Sequence, residues 1–201
     1  MTLKKAFLLI NGEPPIVFPD LSKYDIVCAT DGGYKHLMNH NITPDFISGD
    51  FDSLAELPKD VEVIHTPDQD FTDFDKILNI LKEKGFVYID VYGASGQEQD
   101  HFLGNLSTAV HWKNTLKLTF FDNYGYYFLA DKQIEIKNCK NKIVSLVPLT
   151  PVEGISTTGL KYPLNNENLS FGKRIGTRNT AINEVVTIAH NSGDLFVFVN
   201  M

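Results

Sequence analysis

The sequence contains little cysteine and no long hydrophobic run. Two cysteines among 201 residues, Cys28 and Cys139, do not suggest a disulfide-stabilised scaffold, so we expect reduced thiols in a reducing compartment. After Lys4 and Lys5 the apolar run has only five residues, which is too short for the core of a signal peptide. No stretch approaches the ~20 apolar residues of a membrane-spanning helix. These features predict a soluble cytoplasmic protein without a membrane partner.

Basic residues are almost absent from residues 50–75, which contain nine acidic residues and one basic residue, Lys59. The whole chain has 25 acidic and 18 basic residues, so the acidity of the protein is concentrated in this segment. An acidic surface repels phosphate backbones, and we therefore expect no nucleic-acid partner. If this segment meets an anionic substrate, metal ions must lie between the two.

Hydrophobic residues make up 43% of the chain and charged residues 21%, an ordinary globular balance. Its first two-thirds alternates apolar strand-like runs with helical patterns, which predicts an α/β domain. We expect a doubly wound, mostly parallel sheet with helices on both faces. From about residue 126 short alternating runs are separated by Gly, Pro and Asn, which predicts an all-β sandwich. The predicted domains are residues 1–128 and 129–201.

Three helices are predicted from apolar stripes. In the clearest, Thr72 is the predicted N-cap and Gly85 ends the helix. Its buried stripe is predicted at Phe74, Ile77, Leu78 and Leu81. The other two stripes are Tyr34, Leu37 and Met38, and Leu103, Leu106 and Val110.

Acidic residues follow several of the predicted strands. Asp31 follows one strand, Asp50 and Asp52 follow a second, and a third is followed by Asp68, Asp70 and Asp73. If residues 48–53 continue a strand, Asp50 and Asp52 point to the same side and invite a cation between them. A solvated strand end or turn is the alternative for this pair. Asp31, Asp70 and Asp73 could equally be helix N-terminal acids that interact with the helix dipole.

A glycine loop, Gly93–Gly96, follows another strand and precedes a predicted helix. Ligands of doubly wound sheets bind beyond the carboxyl ends of the strands, where backbone N–H groups hold phosphate and Mg²⁺ binds carboxylates. The combination favours phosphoryl-type chemistry. The G-x-x-x-x-G-K-[ST] motif is absent, which excludes a P-loop enzyme. His101 is interpreted as a helix N-terminal hydrogen-bonding residue or as a substrate contact.

These motifs resemble those of the thiamine pyrophosphokinase family, also called thiamin diphosphokinase. The matching motifs are "DGG" (31–33), "PDFISGDFDS" (44–53), "TPDQDFTDFDKIL" (66–78), "GASGQEQDHFLGN" (93–105), "GLKYPL" (159–164) and "GTRN" (176–179). The resemblance implies an α/β catalytic domain that binds ATP and Mg²⁺, and a sandwich that binds thiamine. It also implies a homodimer whose subunits share active sites, and the reaction ATP + thiamine → AMP + thiamine diphosphate.

The resemblance assigns roles to residues at matching positions. The implied catalytic set is Asp50, Asp52, Asp73 and Asp100, of which Asp50, Asp52 and Asp73 are also the implied metal ligands. The implied ATP and substrate contacts are Asp31, Gln69, Asp70, Thr72, Gly93, Ser95, Gly96, His101 and Asn105. The implied thiamine contacts are Thr177, Arg178 and Asn179. Trp112 and Tyr162 could face the thiazolium cation, but a core position is favoured for each.

The sequence departs from the family pattern in two places. Many members have a second glycine and then an arginine where this chain has Gln97 and Glu98, so a positive charge near the phosphates is missing. Arg178 replaces a serine in the thiamine-side motif. Two alternatives stay open: a pyrophosphokinase for another hydroxymethyl heterocycle such as a pterin, and a non-catalytic sensor of thiamine or nucleotide.

Overall fold

The structure is a computed structural model that describes residues 4–51 and 58–201. The chain divides into two compact units between Asn123 and Tyr124. The division falls a few residues before the predicted boundary at 128/129. The strand Gly125–Leu129 accounts for the difference, because it pairs with the C-terminal strand of the second unit.

The first unit contains a sheet whose six strands are all parallel to their neighbours. The strands are β1 (Lys5–Leu9), β2 (Ile26–Thr30), β3 (Phe46–Gly49), β4 (Glu62–His65), β5 (Tyr88–Tyr92) and β6 (Lys117–Phe121). Their order is β6-β5-β1-β2-β3-β4. The chain order therefore reverses at β1, beside β2 and β5, which is where such sheets bind ligands.

Helices connect the strands of this sheet. They are α1 (Asp31–Asn39), α2 (Asp73–Glu83) and α3 (Gln99–Trp112), and a short 3₁₀ turn covers Leu21–Lys23. The central strand β1 is covered on both faces, since Ala6 to Leu9 are all fully buried. One face packs Phe7 and Leu9 against Tyr34 and Leu37 of α1. None of the helices in the described part of the chain combines the length and apolar character needed to cross a bilayer.

The predicted stripe of α2 is confirmed, since Phe74, Ile77, Leu78 and Leu81 are all buried. Thr72 is its N-cap and accepts a hydrogen bond from the N–H of Asp75. Two other positions differ from the prediction. Met38 of α1 and Leu103 of α3 are exposed. Leu106 of the predicted α3 stripe is buried, and the helix also buries Ala109 and Trp112.

The second unit is all-β. Its strands are β7 (Gly125–Leu129), β8 (Gln133–Lys137), β9 (Ile143–Pro148), β10 (Val152–Thr158), β11 (Glu167–Leu169), β12 (Gly176–Thr180), β13 (Val185–Ala189) and β14 (Leu195–Asn200). They form two antiparallel groups, β12-β9-β14-β7 and β11-β10-β13-β8. Side chains from both groups share one core, for example Leu146 and Val197 with Ile155 and Ile188. The predicted fold class, an α/β unit followed by a β-sandwich, is confirmed.

Candidate active site

A pocket of about 540 Å³ opens in the first unit at the carboxyl ends of its central strands. Residues that follow β1, β2, β3, β4 and β5 all contribute to its lining. The predicted site residues that line it are Asp31, Asp50, Gln69, Asp70, Thr72, Asp73, Gly93, Ser95, Asp100, His101 and Asn105. The topology therefore brings together side chains that are up to about 75 residues apart in the sequence.

Asp31 enters the pocket as the first residue of α1. Thr30 is the N-cap of this helix and accepts a hydrogen bond from the N–H of Gly33, at 3.3 Å. The Asp31 Oδ1 accepts a hydrogen bond of 2.6 Å from the N–H of Gly32. Gly49, at the end of β3, approaches Asp31 so closely that an added Cβ would lie 2.7 Å from the Asp31 carboxyl carbon. Asp31 is thus both a helix N-terminal acid and a pocket residue.

Asp50 follows β3 directly, and the next residue leaves the strand geometry. Phe51 has a φ of 62°, in the left-handed region that non-glycine residues rarely occupy, and its side chain is buried. The condition for placing Asp50 and Asp52 on one side of a strand is not met, because β3 ends at Gly49. Asp52 itself lies outside the described residues.

The segment between β4 and α2 forms another wall of the pocket. Asp68 Oδ1 accepts a 2.8 Å hydrogen bond from the N–H of Asp70, which closes a tight turn. Within this turn the Gln69 Nε2 points to Asp50 Oδ2, at 3.5 Å. Thr72 then caps α2, and Asp73 is the first residue of the helix. The turn thus joins the acidic residues that follow β4 to the one that follows β3.

Lys76 is a pocket residue that the sequence interpretation did not single out. Its side chain is only 11% exposed, and its Nζ lies 2.7 Å from Asp73 Oδ1. The same ammonium donates to the carbonyl oxygens of Thr66 at 2.8 Å and Asp68 at 2.9 Å. Among the described residues that line this pocket, it is the only lysine or arginine.

The glycine loop and the start of α3 close the opposite wall. Gly93 and Gly96 both have positive φ, and only glycine adopts those values without strain. The loop is held by Gly12, whose N–H donates to the Gly93 carbonyl at 2.6 Å, and by Asn105, whose Nδ2 donates to the Ala94 carbonyl at 2.9 Å. Gly96 shapes this loop without lining the pocket. A helix N-terminus beside a backbone loop suits an anionic group.

The electrostatics of the pocket are those of an acidic cluster. Partial burial raises the pKa of Asp31, and the negative charges of Asp73 and Asp50 raise it further. Hydrogen bonds from the N–H groups of Gly32 and Phe51 act in the opposite direction. The three carboxylates are therefore close enough to repel one another, an arrangement that a divalent cation would relieve.

The predicted metal set contains Asp50, Asp52 and Asp73, and the structure does not test it as a whole because Asp52 lies outside the described residues. Within residues 4–51 and 58–201, no group of three His, Cys, Asp or Glu side chains is arranged to hold a metal ion. The oxygen donors of Asp31, Asp50 and Asp73 nevertheless have the chemistry that Mg²⁺ prefers.

The predicted thiamine contacts lie in the second unit, on β12. Thr177 and Arg178 are exposed, and Arg178 has a φ of 56° where the pairing of β12 with β9 is irregular. The Asn179 side chain is bonded to the backbone of Tyr162, donating to its carbonyl at 2.7 Å and accepting from its N–H at 3.1 Å. Asn179 thus fixes the "GLKYPL" segment. Tyr162 is exposed rather than part of the core, whereas Trp112 is buried as favoured.

Asn11 is a second pocket residue that the sequence interpretation missed. It follows β1 and packs against Gly32, where an added Cβ would lie 2.3 Å from the Asn11 Cγ. The rule that site residues follow strand ends applies to β1 as well, and it could have identified Asn11. Lys76 had a weaker signal, its i,i+3 spacing from Asp73 on a predicted helix.

Comparison with known proteins identifies the family. The model of "Thiamin pyrophosphokinase, catalytic domain" matches residues 20–120, and that of "Thiamin pyrophosphokinase, vitamin B1 binding domain" matches residues 131–195. The chain belongs to the thiamin pyrophosphokinase family. It is therefore an enzyme, and the resemblance predicted from its motifs is confirmed.

Relatives and solved structures agree with this family. The thiamine pyrophosphokinase of Bacillus subtilis is 28% identical over 208 residues, covering 96% of this chain and 97% of the relative. Thiamin pyrophosphokinase 1 of Caenorhabditis elegans is 29% identical over 93% of this chain and 86% of its own. The crystal structure of the Bacillus subtilis protein superposes with a TM-score of 0.83 at 26% identity, covering 98% of this chain and 99% of the other. The yeast enzyme shares the fold at 17% identity, with a TM-score of 0.85 over 100% and 87% of the chains.

Proposed function

We propose that this protein transfers the diphosphoryl group of ATP to the hydroxyl of thiamine, giving thiamine diphosphate and AMP. The observation that carries the proposal is the grouping of Asp31, Asp50 and Asp73 in one pocket with the glycine loop and the N-terminus of α3. Both domain models of the family match this chain, which supports thiamine and a nucleotide as the substrates.

Phosphate binding is assigned to the wall formed by Gly93–Gly96 and α3, because backbone N–H groups and a helix N-terminus favour anions. The opposite, acidic wall is assigned to Mg²⁺, with Asp50, Asp52 and Asp73 as its proposed ligands. When bound there, Mg²⁺ would neutralise charge on the phosphates and on the transition state. We assign to Gln69, which faces Asp50, the role of orienting a substrate oxygen. The remaining contacts of this wall are proposed at Asp31, Asp70 and Thr72.

In the reaction the thiamine hydroxyl oxygen forms a bond to the β-phosphorus, and the bond from that phosphorus to the oxygen bridging to the α-phosphorus breaks. AMP leaves with the electron pair of the broken bond, and the hydroxyl proton passes to a carboxylate. Asp73 and Asp100 both line the pocket. We assign the proton to Asp100, because Asp73 already faces the Lys76 ammonium. The work of the protein is positioning and charge neutralisation rather than covalent catalysis.

The domain roles follow from the same proposal. Residues 1–128 carry the ATP and Mg²⁺ functions, and residues 129–201 bind thiamine, with Thr177, Arg178 and Asn179 as contacts. The active form is proposed to be a homodimer with shared active sites, in the cytoplasm. Cys28 and Cys139 are both free and buried, which supports a reducing compartment.

Thiamine-dependent formation of AMP tests the proposal. The purified protein is incubated with ATP and Mg²⁺, with thiamine, with a hydroxymethylpterin or with neither, and AMP is quantified by chromatography. We expect AMP and thiamine diphosphate in equal amounts only when thiamine is present. AMP formed only with the pterin would identify a pyrophosphokinase of different specificity. Binding of thiamine without any AMP would identify a sensor, and either result would contradict the proposal.

A further inference from the structure

Lys76 is surrounded by oxygen atoms of the protein itself. Its ammonium carries three N–H donors, and three acceptors lie within 2.7 to 2.9 Å: the Asp73 carboxylate and the backbone carbonyls of Thr66 and Asp68. Every donor of the side chain therefore has a partner within the protein itself. A lysine that contacts phosphate directly would need at least one donor directed at the substrate.

This arrangement differs from an ordinary ion pair on a helix surface. An Asp–Lys pair at i,i+3 normally extends into solvent and contributes little to stability. Lys76 instead is 11% exposed and reaches back past the start of α2 to the segment before the helix. Two of its three partners are backbone carbonyls that flank Pro67, so their positions depend on the path of the chain rather than on a flexible side chain.

The three acceptors belong to one functional segment, residues 66–73. Thr66 is tied to the neighbouring strand, since its N–H donates to the Gly49 carbonyl at 2.9 Å. Between Asp68 and Asp73 lies the turn that directs Gln69 towards Asp50. Lys76 thus joins the beginning, the middle and the end of the segment through one charged group.

We propose that Lys76 is a positioning residue that preorganises residues 66–73 and holds the Asp73 carboxylate in the pocket before substrates bind. Its positive charge also offsets part of the repulsion among Asp73, Asp50 and Asp31. It acts through these residues and is not itself a phosphate ligand. The consequence for turnover rests on the function proposed above, whereas the structural consequence does not.

Amide hydrogen exchange of the substrate-free protein tests the structural part. The variants are Lys76→Met, Lys76→Arg and the matched control Lys82→Met, an exposed lysine of the same helix outside the pocket. In Lys76→Met we expect amides of residues 66–73 to exchange about tenfold faster or more, because charged hydrogen bonds to the segment are lost. Amides of β1 and β5 should stay protected, and Lys82→Met should behave as wild type.

Lys76→Arg keeps the charge but spreads its donors over a planar group, so it cannot direct three donors to the same three acceptors. We expect the same local increase in exchange in a fully folded protein, which keeps the test valid if Lys76→Met folds poorly. Exchange like that of wild type in both variants would overturn the proposal.

Kinetic measurements distinguish a positioning role of Lys76 from two others, that of a direct phosphate ligand and that of a purely structural residue. A positioning residue predicts that kcat of Lys76→Met falls on the order of tenfold to a hundredfold, while the KM for ATP changes less. Unchanged exchange with a raised KM for ATP would show a direct phosphate ligand. Lower stability throughout the protein with a normal kcat would show a purely structural residue. If wild type itself forms no AMP, the proposed function fails, and hydrogen exchange still decides the role of Lys76.

Discussion

Asp50 lies where the acidic cluster meets the turn from β4. Its charge contributes to the raised pKa of Asp31, and Gln69 approaches it from the turn. The adjacent Phe51 holds a left-handed backbone although it is not glycine, and its ring is buried. Such conformations cluster at functional sites, where the surrounding packing maintains them. The backbone therefore holds Asp50 near Asp31 and Asp73 despite their repulsion.

Replacing Asp50 with asparagine keeps the size of the side chain and removes one charge. We expect kcat to fall on the order of a hundredfold, because the change removes a proposed ligand of the ion that would act on the transition state. The substrate-free protein should melt no lower than wild type, since one repelling charge is gone. The melting shift caused by Mg²⁺ with nucleotide should shrink strongly. Steady-state kinetics and thermal melting with and without Mg²⁺ measure these effects.

Asp60→Asn is the matched control for this variant, because Asp60 is exposed and belongs to the same acidic segment but does not line the pocket. It should keep both kcat and the Mg²⁺-dependent melting shift. Normal turnover of Asp50→Asn at ordinary Mg²⁺ concentrations would refute the metal role of this residue.

At the scale of single residues, the sequence predicted the acidic residues of the pocket better than the residues that contact them. An aspartate after a strand is a local signal, and Asp31, Asp50 and Asp73 do meet in the pocket. The contacts of Lys76 depend on how the chain folds back between β4 and α2, which no local pattern encodes. The left-handed backbone conformation of Phe51 was not predicted either, because nothing in "GDFDS" distinguishes this residue from a strand residue.

Helix predictions succeeded where an apolar stripe was accompanied by capping. The stripe and N-cap of α2 are both as predicted. Helix α1 begins at Asp31, before its predicted stripe. The sequence did not predict this earlier start, because glycine is a poor helix former and the first turn contains two glycines. Those glycines are required by packing, since a Cβ on Gly33 would lie 2.1 Å from the Leu9 carbonyl oxygen. The exposed Leu103 shows that apolar periodicity alone does not identify the buried face of α3, because the elements that pack against the helix determine that face.

Glu98, which departs from the family pattern, lies at the start of α3. Glu98 is the N-cap residue of α3, makes no side-chain capping hydrogen bond, and lines the pocket assigned to the phosphates. We expect Glu98→Arg to retain kcat and to lower the KM for ATP about twofold to fivefold, because a negative charge is replaced by a positive one near the bound anion. Titration of ATP at low ionic strength measures the change, which should shrink at high salt.

Glu83→Arg controls for the change in net charge, since it makes the same substitution at an exposed helical residue outside the pocket. Its KM for ATP should match that of wild type. A large fall in kcat for Glu98→Arg would contradict this interpretation and would give Glu98 a role of its own in metal or thiamine binding.

At the scale of the whole molecule, the second unit is a small sandwich. Small domains bury a limited fraction of their surface and are marginally stable alone. Several large apolar side chains of this unit are exposed: Tyr162, Phe171, Ile175 and Ile182. These features support the proposed homodimer through residues 131–201. Light scattering should give twice the mass of the chain, and a stable, active monomer would contradict the proposal.

A mixing experiment tests whether the two subunits share active sites. Asp50→Asn impairs the first unit, and Asn179→Ala impairs the proposed thiamine side of the second. If each site combines the first unit of one subunit with the second unit of its partner, a mixed dimer contains one site built entirely from unaltered units. Random reassociation of equal amounts should then restore roughly a quarter of wild-type activity, since half of the dimers are mixed and each has one intact site. If each site is built from a single chain, every site in the mixture carries one substitution and no activity returns. Each variant unfolded and refolded alone is the control, and the absence of recovery in a mixture shown to contain mixed dimers would refute shared sites.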